Sequence, residues 1–173
     1  MSLVGKKAPD FTVEGVINKE FKEYKLSQFE GKWVVLFFYP LDFTFVCPTE
    51  IKQFNKLNEE FENEDAVVLG ASIDSKFVHL AWLERDLGDL KFPLLADITR
   101  KISHDYGVLI DEAGHTMRAT FIINPEGVVQ YENIHVPAIG RSVKEILRCL
   151  KALKTGDLCP VEWEAGEATL GKA

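Results

Sequence analysis

Short apolar runs alternate along this chain with stretches in which apolar residues recur at helical spacing. The clearest run is Trp33–Tyr39, where every residue is apolar or aromatic, a pattern typical of a strand that is buried on both faces. It is followed by one helical stripe of apolar residues: Ile51, Phe54, Leu57 and Phe61. This stripe predicts a helix over residues 50–64.

The same reasoning assigns the remaining elements. Strands are predicted over residues 66–73, 92–95, 116–124 and 128–132. Helices are predicted from an Asp74-Ser75 cap to Asp86, over a turn at 99–106 that ends at Gly107, and over 143–153 behind a Ser142 cap. A turn at 124–127 joins the last two strands into a hairpin. The first 30 residues are expected to form a hairpin or an irregular lead-in.

Strands that alternate with helices and end in a hairpin predict an α/β layered domain with a mixed central sheet. The chain has 173 residues, which is the size of one domain. Helical patterning weakens after Leu153. We therefore predict one domain over residues 1–153 and a mobile C-terminal arm over residues 154–173.

Composition excludes several classes of partner. The net charge is −7, and the basic residues are scattered, so neither nucleic acid nor an anionic membrane surface is an expected partner. No apolar run approaches the roughly 18 residues of a membrane span, and no apolar signal segment opens the chain. The expected location is therefore cytoplasmic. Three cysteines in such a chain favour redox or catalytic chemistry over a structural disulfide framework.

Cys47 lies where the strand at 33–39 gives way to the helix at 50–64, and Pro48 suits a first helical turn. Free backbone N–H groups and the positive end of the helix dipole favour an anion at this place. Cys47 is therefore expected to be a nucleophilic thiolate at pH 7. From its position alone, an inert packing cysteine is an equally good interpretation.

The neighbours of Cys47 favour the reactive interpretation. Pro40, Thr44 and Cys47 form a P-x-x-x-T-x-x-C pattern that continues as Pro48-Thr49-Glu50. It resembles the active-site motif of the typical 2-Cys peroxiredoxins, which include bacterial alkyl hydroperoxide reductase peroxidase subunits and thioredoxin peroxidases. The resemblance extends along nearly the whole chain and implies a thioredoxin-like fold, with activity toward hydrogen peroxide and small alkyl hydroperoxides.

By this resemblance, Cys47 is the peroxidatic cysteine, which attacks a hydroperoxide and becomes a sulfenic acid. Thr44 would hydrogen-bond to the thiolate or the peroxide, and Pro40 would shape and shield the pocket. Without the motif, these residues read as a turn threonine and a strand terminator. Arg118 would stabilise the thiolate and bind the peroxide, although a surface ion pair is the simpler explanation for one arginine.

The resemblance also assigns supporting and resolving residues. Glu50 and Arg141 match positions that orient the active-site arginine and loop. Cys159 would be the resolving cysteine, forming a disulfide with Cys47 of the partner subunit, whereas its position alone would allow an incidental exposed thiol. Cys149 lies beside an apolar helical stripe, and we interpret it as a packing residue without a catalytic role.

No cofactor or metal is expected in this chain. It has no Walker A or G-x-G-x-x-G sequence. The four histidines are not spaced as metal ligands; they are His79, His104, His115 and His135. Electrons should therefore come from thioredoxin or a flavoprotein disulfide reductase. The resemblance further implies an edge-to-edge homodimer and a ring of five dimers, with Phe43, Phe77 and Val78 as candidate ring contacts.

Two departures from eukaryotic relatives predict resistance to over-oxidation. A Gly-Gly-Leu-Gly insertion before Phe92 is replaced by the segment 86–90 with one glycine, and no Tyr-Phe helix follows the arm. Two other functions stay open from the sequence. One is a thiol–disulfide oxidoreductase, although Glu50 stands where a C-x-x-C motif needs cysteine; the other is a non-enzymatic holdase or redox relay.

Overall fold

The computed structural model describes residues 2–172. Its strands are β1 (Thr12–Ile17), β2 (Glu20–Lys25), β3 (Trp33–Phe38), β4 (Ala66–Ser72), β5 (Leu94–Ala96), β6 (Leu109–Ile110), β7 (His115–Thr116), β8 (Arg118–Ile123) and β9 (Val129–His135). Its helices are α1 (Cys47–Asn63), α2 (Lys76–Trp82), α3 (Lys101–Asp105) and α4 (Val143–Thr155). A 3-10 turn spans Leu26–Phe29, and a π-helical turn spans Leu83–Leu87. Within residues 2–172, no helix has both the length and the apolar run that a membrane crossing needs.

Seven strands form the central sheet, in the order β2-β1-β5-β4-β3-β8-β9. The β5-β4-β3 pairs are parallel and the other pairs are antiparallel, so the predicted mixed sheet is confirmed. β1 and β2 form the hairpin expected in the first 30 residues. A separate β6–β7 pair was not predicted, because strands of two residues are too short to show an alternating pattern.

Both faces of β3 are buried, and successive side chains enter two different cores. Val35 and Phe37 belong to the core that α1 and α4 cover. Leu36 and Phe38 belong to the opposite core, with Ile102 of α3. This double burial explains the unbroken apolar run, and it places the end of β3 between the two layers of the fold.

The aromatic packing at the end of β3 depends on a glycine in β4. The Phe37 and Phe54 rings stack with their centroids 4.2 Å apart. A Cβ atom at Gly70 would lie 2.7 Å from Cζ of Phe37, so a side chain there would displace the ring. Gly70 therefore leaves room for the Phe37 ring to stack on Phe54 and for α1 to pack closely on the sheet.

Two helix boundaries lie three or more residues from the predicted position, and the others lie within two. α1 begins at Cys47 instead of residue 50, because the amides of Thr49 and Glu50 already bond to the Val46 carbonyl, at 3.0 and 3.4 Å. The helix predicted to reach Asp86 leaves α geometry after Trp82 and continues as the π-helical turn. The predicted caps are confirmed: Ser75 accepts from Val78 N and Ser142 from Glu145 N.

The C-terminal arm forms a hydrogen-bonded loop, and the mobility expected for residues 154–173 stays a prediction. Leu158 N bonds to Gly171 O and Leu170 N to Leu158 O, both at 2.8 Å. Trp163 is buried, and its carbonyl accepts a hydrogen bond of 3.0 Å from Arg148 of α4. These contacts use backbone groups and one aromatic residue, so no apolar periodicity announces them in the sequence.

Candidate active site

Cys47 lies at the first residue of α1, directly beyond the loop that follows β3. It is fully buried and carries a free thiol. Its Sγ accepts a hydrogen bond of 3.3 Å from Nη1 of Arg118. The positive end of the helix dipole and this guanidinium both face the sulfur, so the geometry suits a nucleophile at this position.

Arg118 reaches Cys47 because β8 pairs with β3. The register sets Ala119 opposite Phe38, which brings the start of β8 beside the end of β3. The Arg118 side chain is buried; its Nη1 also donates to Glu50 Oε2 at 2.6 Å, and its Nε donates to the Pro137 carbonyl at 2.7 Å. The surface ion pair considered from the sequence is therefore wrong, and the guanidinium has a single fixed orientation.

Glu50 joins the two arginines that the resemblance assigned to the site. Its Oε1 accepts from the backbone N of Arg141 at 2.7 Å and from Nε at 2.9 Å, while Oε2 accepts from Arg118. Burial by itself would raise the pKa of Glu50, but the charge and hydrogen bonds of Arg141, and then the charge of Arg118, outweigh it and hold this pKa below its ordinary value. Glu50 is therefore an anion that orients both guanidinium groups.

Arg141 stabilises the site through the backbone of two strands. Among the hydrogen bonds of residues 2–172, none joins Arg141 to Cys47. Its Nη2 donates to the Phe38 carbonyl at 2.6 Å, and its Nη1 donates to Ala119 O at 2.6 Å and Thr120 Oγ1 at 2.9 Å. These bonds satisfy the guanidinium in a buried place and tie β3 to β8 at the level of the cysteine.

The loop from Pro40 to Val46 carries the other two residues of the motif. Pro40 is buried, and Thr44 is partly exposed. The Thr44 hydroxyl donates to the Leu41 carbonyl at 2.9 Å. A hydrogen bond from this hydroxyl to a thiolate or a peroxide would therefore require it to turn away from Leu41, and its catalytic role stays a prediction.

A buried polar cluster that the sequence did not reveal anchors this loop. Asp42 accepts a 2.9 Å hydrogen bond from the Tyr39 hydroxyl, and its Oδ2 lies 2.7 Å from Nδ1 of His79. The Asp42 amide donates to Asp74 Oδ2 at 2.8 Å. Burial raises the pKa of Asp42, and the hydrogen bond and charge of His79 oppose this. No local pattern could pair Asp42 with His79, because α2 lies in the following βα unit.

The four histidines offer no metal centre in the described part of the chain. Within residues 2–172, no three or more His, Cys, Asp or Glu side chains are grouped to hold an ion. His79 instead uses Nδ1 toward Asp42 and has Nε2 3.2 Å from the Leu95 carbonyl. Its function in the fold is to connect α2 and β5 to the active-site loop.

The other two cysteines lie in different surroundings. Cys159 is partly exposed on the arm, with Sγ 3.5 Å from Thr155 Oγ1; among the contacts of residues 2–172, none joins it to Cys47 of the same chain. Cys149 packs against the core beneath α4 and donates to Glu145 Oε1 at 3.3 Å. Burial, followed by the Glu145 hydrogen bond and charge, raises the pKa of Cys149 to about 11. Its contact with the core agrees with the predicted packing role, and its lack of a catalytic role stays a prediction.

The three candidate ring contacts lie on the active-site loop and on α2. Phe43 is 39% exposed and packs against Trp82, with ring centroids 5.8 Å apart. Phe77 is 64% exposed and packs edge-on against Phe21, at 5.3 Å. Val78 is partly exposed. Their place in an assembly stays a prediction.

Comparison with known proteins identifies the family. The model of the AhpC/TSA family matches residues 4–132, a span that contains Cys47, Glu50 and Arg118. The chain is 51% identical over 180 residues to the chloroplastic 2-Cys peroxiredoxin BAS1 of Hordeum vulgare, which covers 98% of this chain and 86% of that protein. This chain belongs to the AhpC/TSA family, as a 2-Cys peroxiredoxin.

Further similarities cover the same length. The peroxiredoxin is 48% identical over 176 residues to Peroxiredoxin-2 of Macaca fascicularis, covering 96% of this chain and 89% of that protein. It resembles the crystal structure of reduced Plasmodium vivax 2-Cys peroxiredoxin with a TM-score of 0.94 and 44% identity, covering 98% of this chain and 93% of that one. The predicted thioredoxin-like fold is confirmed, and the chain is a thiol-dependent peroxidase.

Proposed function

We propose that Cys47 is the peroxidatic cysteine of this peroxidase, toward hydrogen peroxide and small alkyl hydroperoxides. Its thiolate attacks the terminal peroxide oxygen, the O–O bond breaks, and the leaving oxygen takes up a proton to depart as water or alcohol. Cys47 is thereby oxidised by two electrons to a sulfenic acid. The observation that carries this proposal is the buried sulfur 3.3 Å from the Arg118 guanidinium at the start of α1.

Arg118 acts on both the attacking sulfur and the departing oxygen. Its charge stabilises the thiolate, and its guanidinium donates hydrogen bonds to the departing oxygen as negative charge develops there. Glu50 and Arg141 hold that guanidinium in place. Pro40 shields the sulfur, and Thr44 contributes a hydroxyl after it turns from Leu41. The peroxide thus meets an oriented donor set that needs little rearrangement.

Resolution involves Cys159 of a second subunit. The Cys159 thiolate attacks the Cys47 sulfenic sulfur, an S–S bond forms, and hydroxide leaves and is protonated to water. No contact among residues 2–172 joins the two sulfurs, and Cys159 lies on the surface arm while Cys47 is buried at the start of α1; this supports a step between subunits. The first turn of α1 must open for this step, because bonded cysteines have Cα atoms within about 7 Å.

A separate dithiol protein, thioredoxin or a flavoprotein disulfide reductase, then returns two electrons and two protons to the disulfide. The enzyme would work in the cytoplasm as an edge-to-edge homodimer and as a ring of five dimers, with Phe43, Phe77 and Val78 at the ring contact. The exposed aromatic side chains on the loop and α2 support this assembly, since exposed apolar groups mark interaction surfaces.

The test combines peroxide kinetics with non-reducing electrophoresis. Sulfenate formation at Cys47 in wild type should be much faster than with free cysteine, and peroxide should produce a disulfide-linked dimer. Cys159→Ser should keep the fast first step and lose the dimer. Cys149→Ser is the matched control, because the same atom change at a packing cysteine should alter neither.

Two results would redirect the proposal. A first step no faster than that of free cysteine would reject an activated Cys47 and leave the holdase or relay interpretation. A dimer band that survives in Cys159→Ser but vanishes in Cys149→Ser would show that Cys149, and not Cys159, resolves the sulfenic acid.

A further inference from the structure

Phe43 forms a constrained corner in the loop before Cys47. Its φ is +55°, a left-handed conformation that is unfavourable for a bulky residue and persists only where neighbours impose it. Two neighbours contact its ring. Trp82 packs against the ring at 5.8 Å between centroids, and the Arg85 guanidinium carbon lies 4.4 Å from the ring centroid.

Arg85 reaches this ring from the π-helical turn that follows α2. Its guanidinium is oriented by Asp86, with Nε 3.1 Å from both carboxylate oxygens and Nη2 3.0 Å from Oδ2. The Arg85 side chain is 68% exposed, so it fills no space in the core. Its one ordered contact beyond Asp86, among those of the described residues, is the stack on Phe43.

The Phe43 corner divides the active-site loop into a held part and a releasable part. Asp42, on one side, is fixed by the buried cluster with Tyr39 and His79. On the other side, the first turn of α1 is closed by hydrogen bonds from the amides of Thr49 and Glu50 to the Val46 carbonyl. The second of these is long, at 3.4 Å. We therefore expect that opening the Cys47 turn requires the backbone at Phe43 to move, and that the contacts of Phe43 resist it.

Disulfide formation requires the Cys47 turn to open, whereas sulfenate formation does not. A peroxide is small enough to reach Cys47 through side-chain movement at the rim of the site. A protein thiol cannot reach a fully buried sulfur unless the backbone around it moves. The stability of the corner should therefore affect disulfide formation and leave sulfenate formation unchanged.

We propose that Arg85 is a positioning residue whose stack on Phe43 holds the Cys47 turn closed and so sets the rate of disulfide formation. The proposal rests on the function proposed above for Cys47 and Cys159. A cation–π contact at an exposed site changes an equilibrium constant by about two- to fivefold. Arg85→Gln should raise the open fraction of the turn by that factor, because glutamine keeps polarity and loses the charge.

The consequence for chemistry is a competition at the sulfenic acid. The sulfenate can be attacked by Cys159 to give the disulfide, or it can attack a second peroxide, gaining an oxygen atom to become sulfinate while water or alcohol leaves. Faster opening favours the first route. Arg85→Gln should therefore form disulfide about two- to fivefold faster and need about that much more peroxide to reach half sulfinate.

Amide hydrogen exchange tests the closed turn without any peroxide chemistry. In the reduced protein, the amides of Thr49 and Glu50 should exchange about two- to fivefold faster in Arg85→Gln than in wild type. Arg85→Lys keeps a cation and should restore at least part of the protection. Lys101→Gln is the control, since it removes an exposed lysine paired with Asp105 in α3 and should leave these amides unchanged.

Stopped-flow kinetics and intact-mass titration then test the reaction, at concentrations where all variants sediment alike. Unchanged exchange in Arg85→Gln overturns the proposal, and so does an equal slowing of both chemical steps, which would indicate general damage. Faster exchange with unchanged disulfide formation also overturns it. If wild type forms no sulfenate with peroxide, the function proposed for Cys47 fails, and the exchange result still decides whether Arg85 holds the turn.

Discussion

Replacing Arg118 with methionine tests the central electrostatic claim about the active site. Methionine keeps much of the length of the side chain and removes its charge and donors. Glu50 retains its bonds to Arg141, so the carboxylate is not left alone. The change therefore isolates the 3.3 Å contact between Arg118 Nη1 and Cys47 Sγ as far as one substitution can.

The expected loss follows from that distance. At an effective dielectric constant of about 20, unit charges 3.3 Å apart interact by about 5 kcal/mol. The Glu50 carboxylate, 2.6 Å from the same nitrogen, cancels part of this attraction. A charge-assisted hydrogen bond has a net value of about 1.5–3 kcal/mol, which corresponds to roughly a ten- to hundredfold slower reaction with peroxide.

The assay is stopped-flow measurement of sulfenate formation, with every variant made in the Cys159→Ser background so that only the first step is observed. Arg118→Lys should fall between wild type and Arg118→Met, because lysine keeps the charge and loses the planar fork. Arg148→Met, at the far end of the chain, is the matched control. Rates within twofold of wild type for a folded Arg118→Met would refute the assigned role.

Two further predictions concern groups whose pKa is displaced. Glu50→Gln should destabilise the fold by about 3–5 kcal/mol in urea unfolding, since it leaves two buried arginines without their carboxylate. Because the folded pKa of Glu50 is lowered, this difference should be complete above the unfolded-state pKa of about 4.3 and shrink as pH falls through the folded value; a constant difference down to pH 3 would contradict it. Cys149, with a pKa raised to about 11, should alkylate about two orders of magnitude more slowly at pH 8 than an unperturbed cysteine thiol. Peptide mass spectrometry with iodoacetamide would expose an error as rapid labelling of Cys149.

Elements with a strong local signal were predicted closely. The run that becomes β3 is apolar throughout because both sheet faces are covered, and Ser142 caps α4 as its hydroxyl predicts. Boundaries moved where backbone hydrogen bonds, which leave no apolar pattern, set the end of an element. α1 starts at Cys47 because its first turn is closed on Val46 beside the Arg118 network.

The candidate site divides in the same way. The place of Cys47 between a strand and a helix made a reactive sulfur one of two interpretations, and the motif resemblance favoured it. Arg118, Glu50 and Arg141 were assigned by resemblance, because no pattern in one sequence links residues 50, 118 and 141. Nothing in the sequence pointed to the Asp42–His79 cluster or to the Arg85–Phe43 stack. Aspartate, histidine and arginine usually lie at exposed positions, so no pattern marks these residues as contacts.

The sequence by itself determined the alternation of strands and helices and a cysteine at a helix start, because these depend on neighbours within a few residues. The tertiary structure alone decided what surrounds that cysteine. Pairing β8 with β3 brings Arg118 within hydrogen-bond distance of Cys47, and the charges and hydrogen bonds of Arg141 and Arg118 keep the buried Glu50 an anion that both arginines share. Charges act at a few ångströms in a medium of low polarity, so their effect appears only after folding has set those distances.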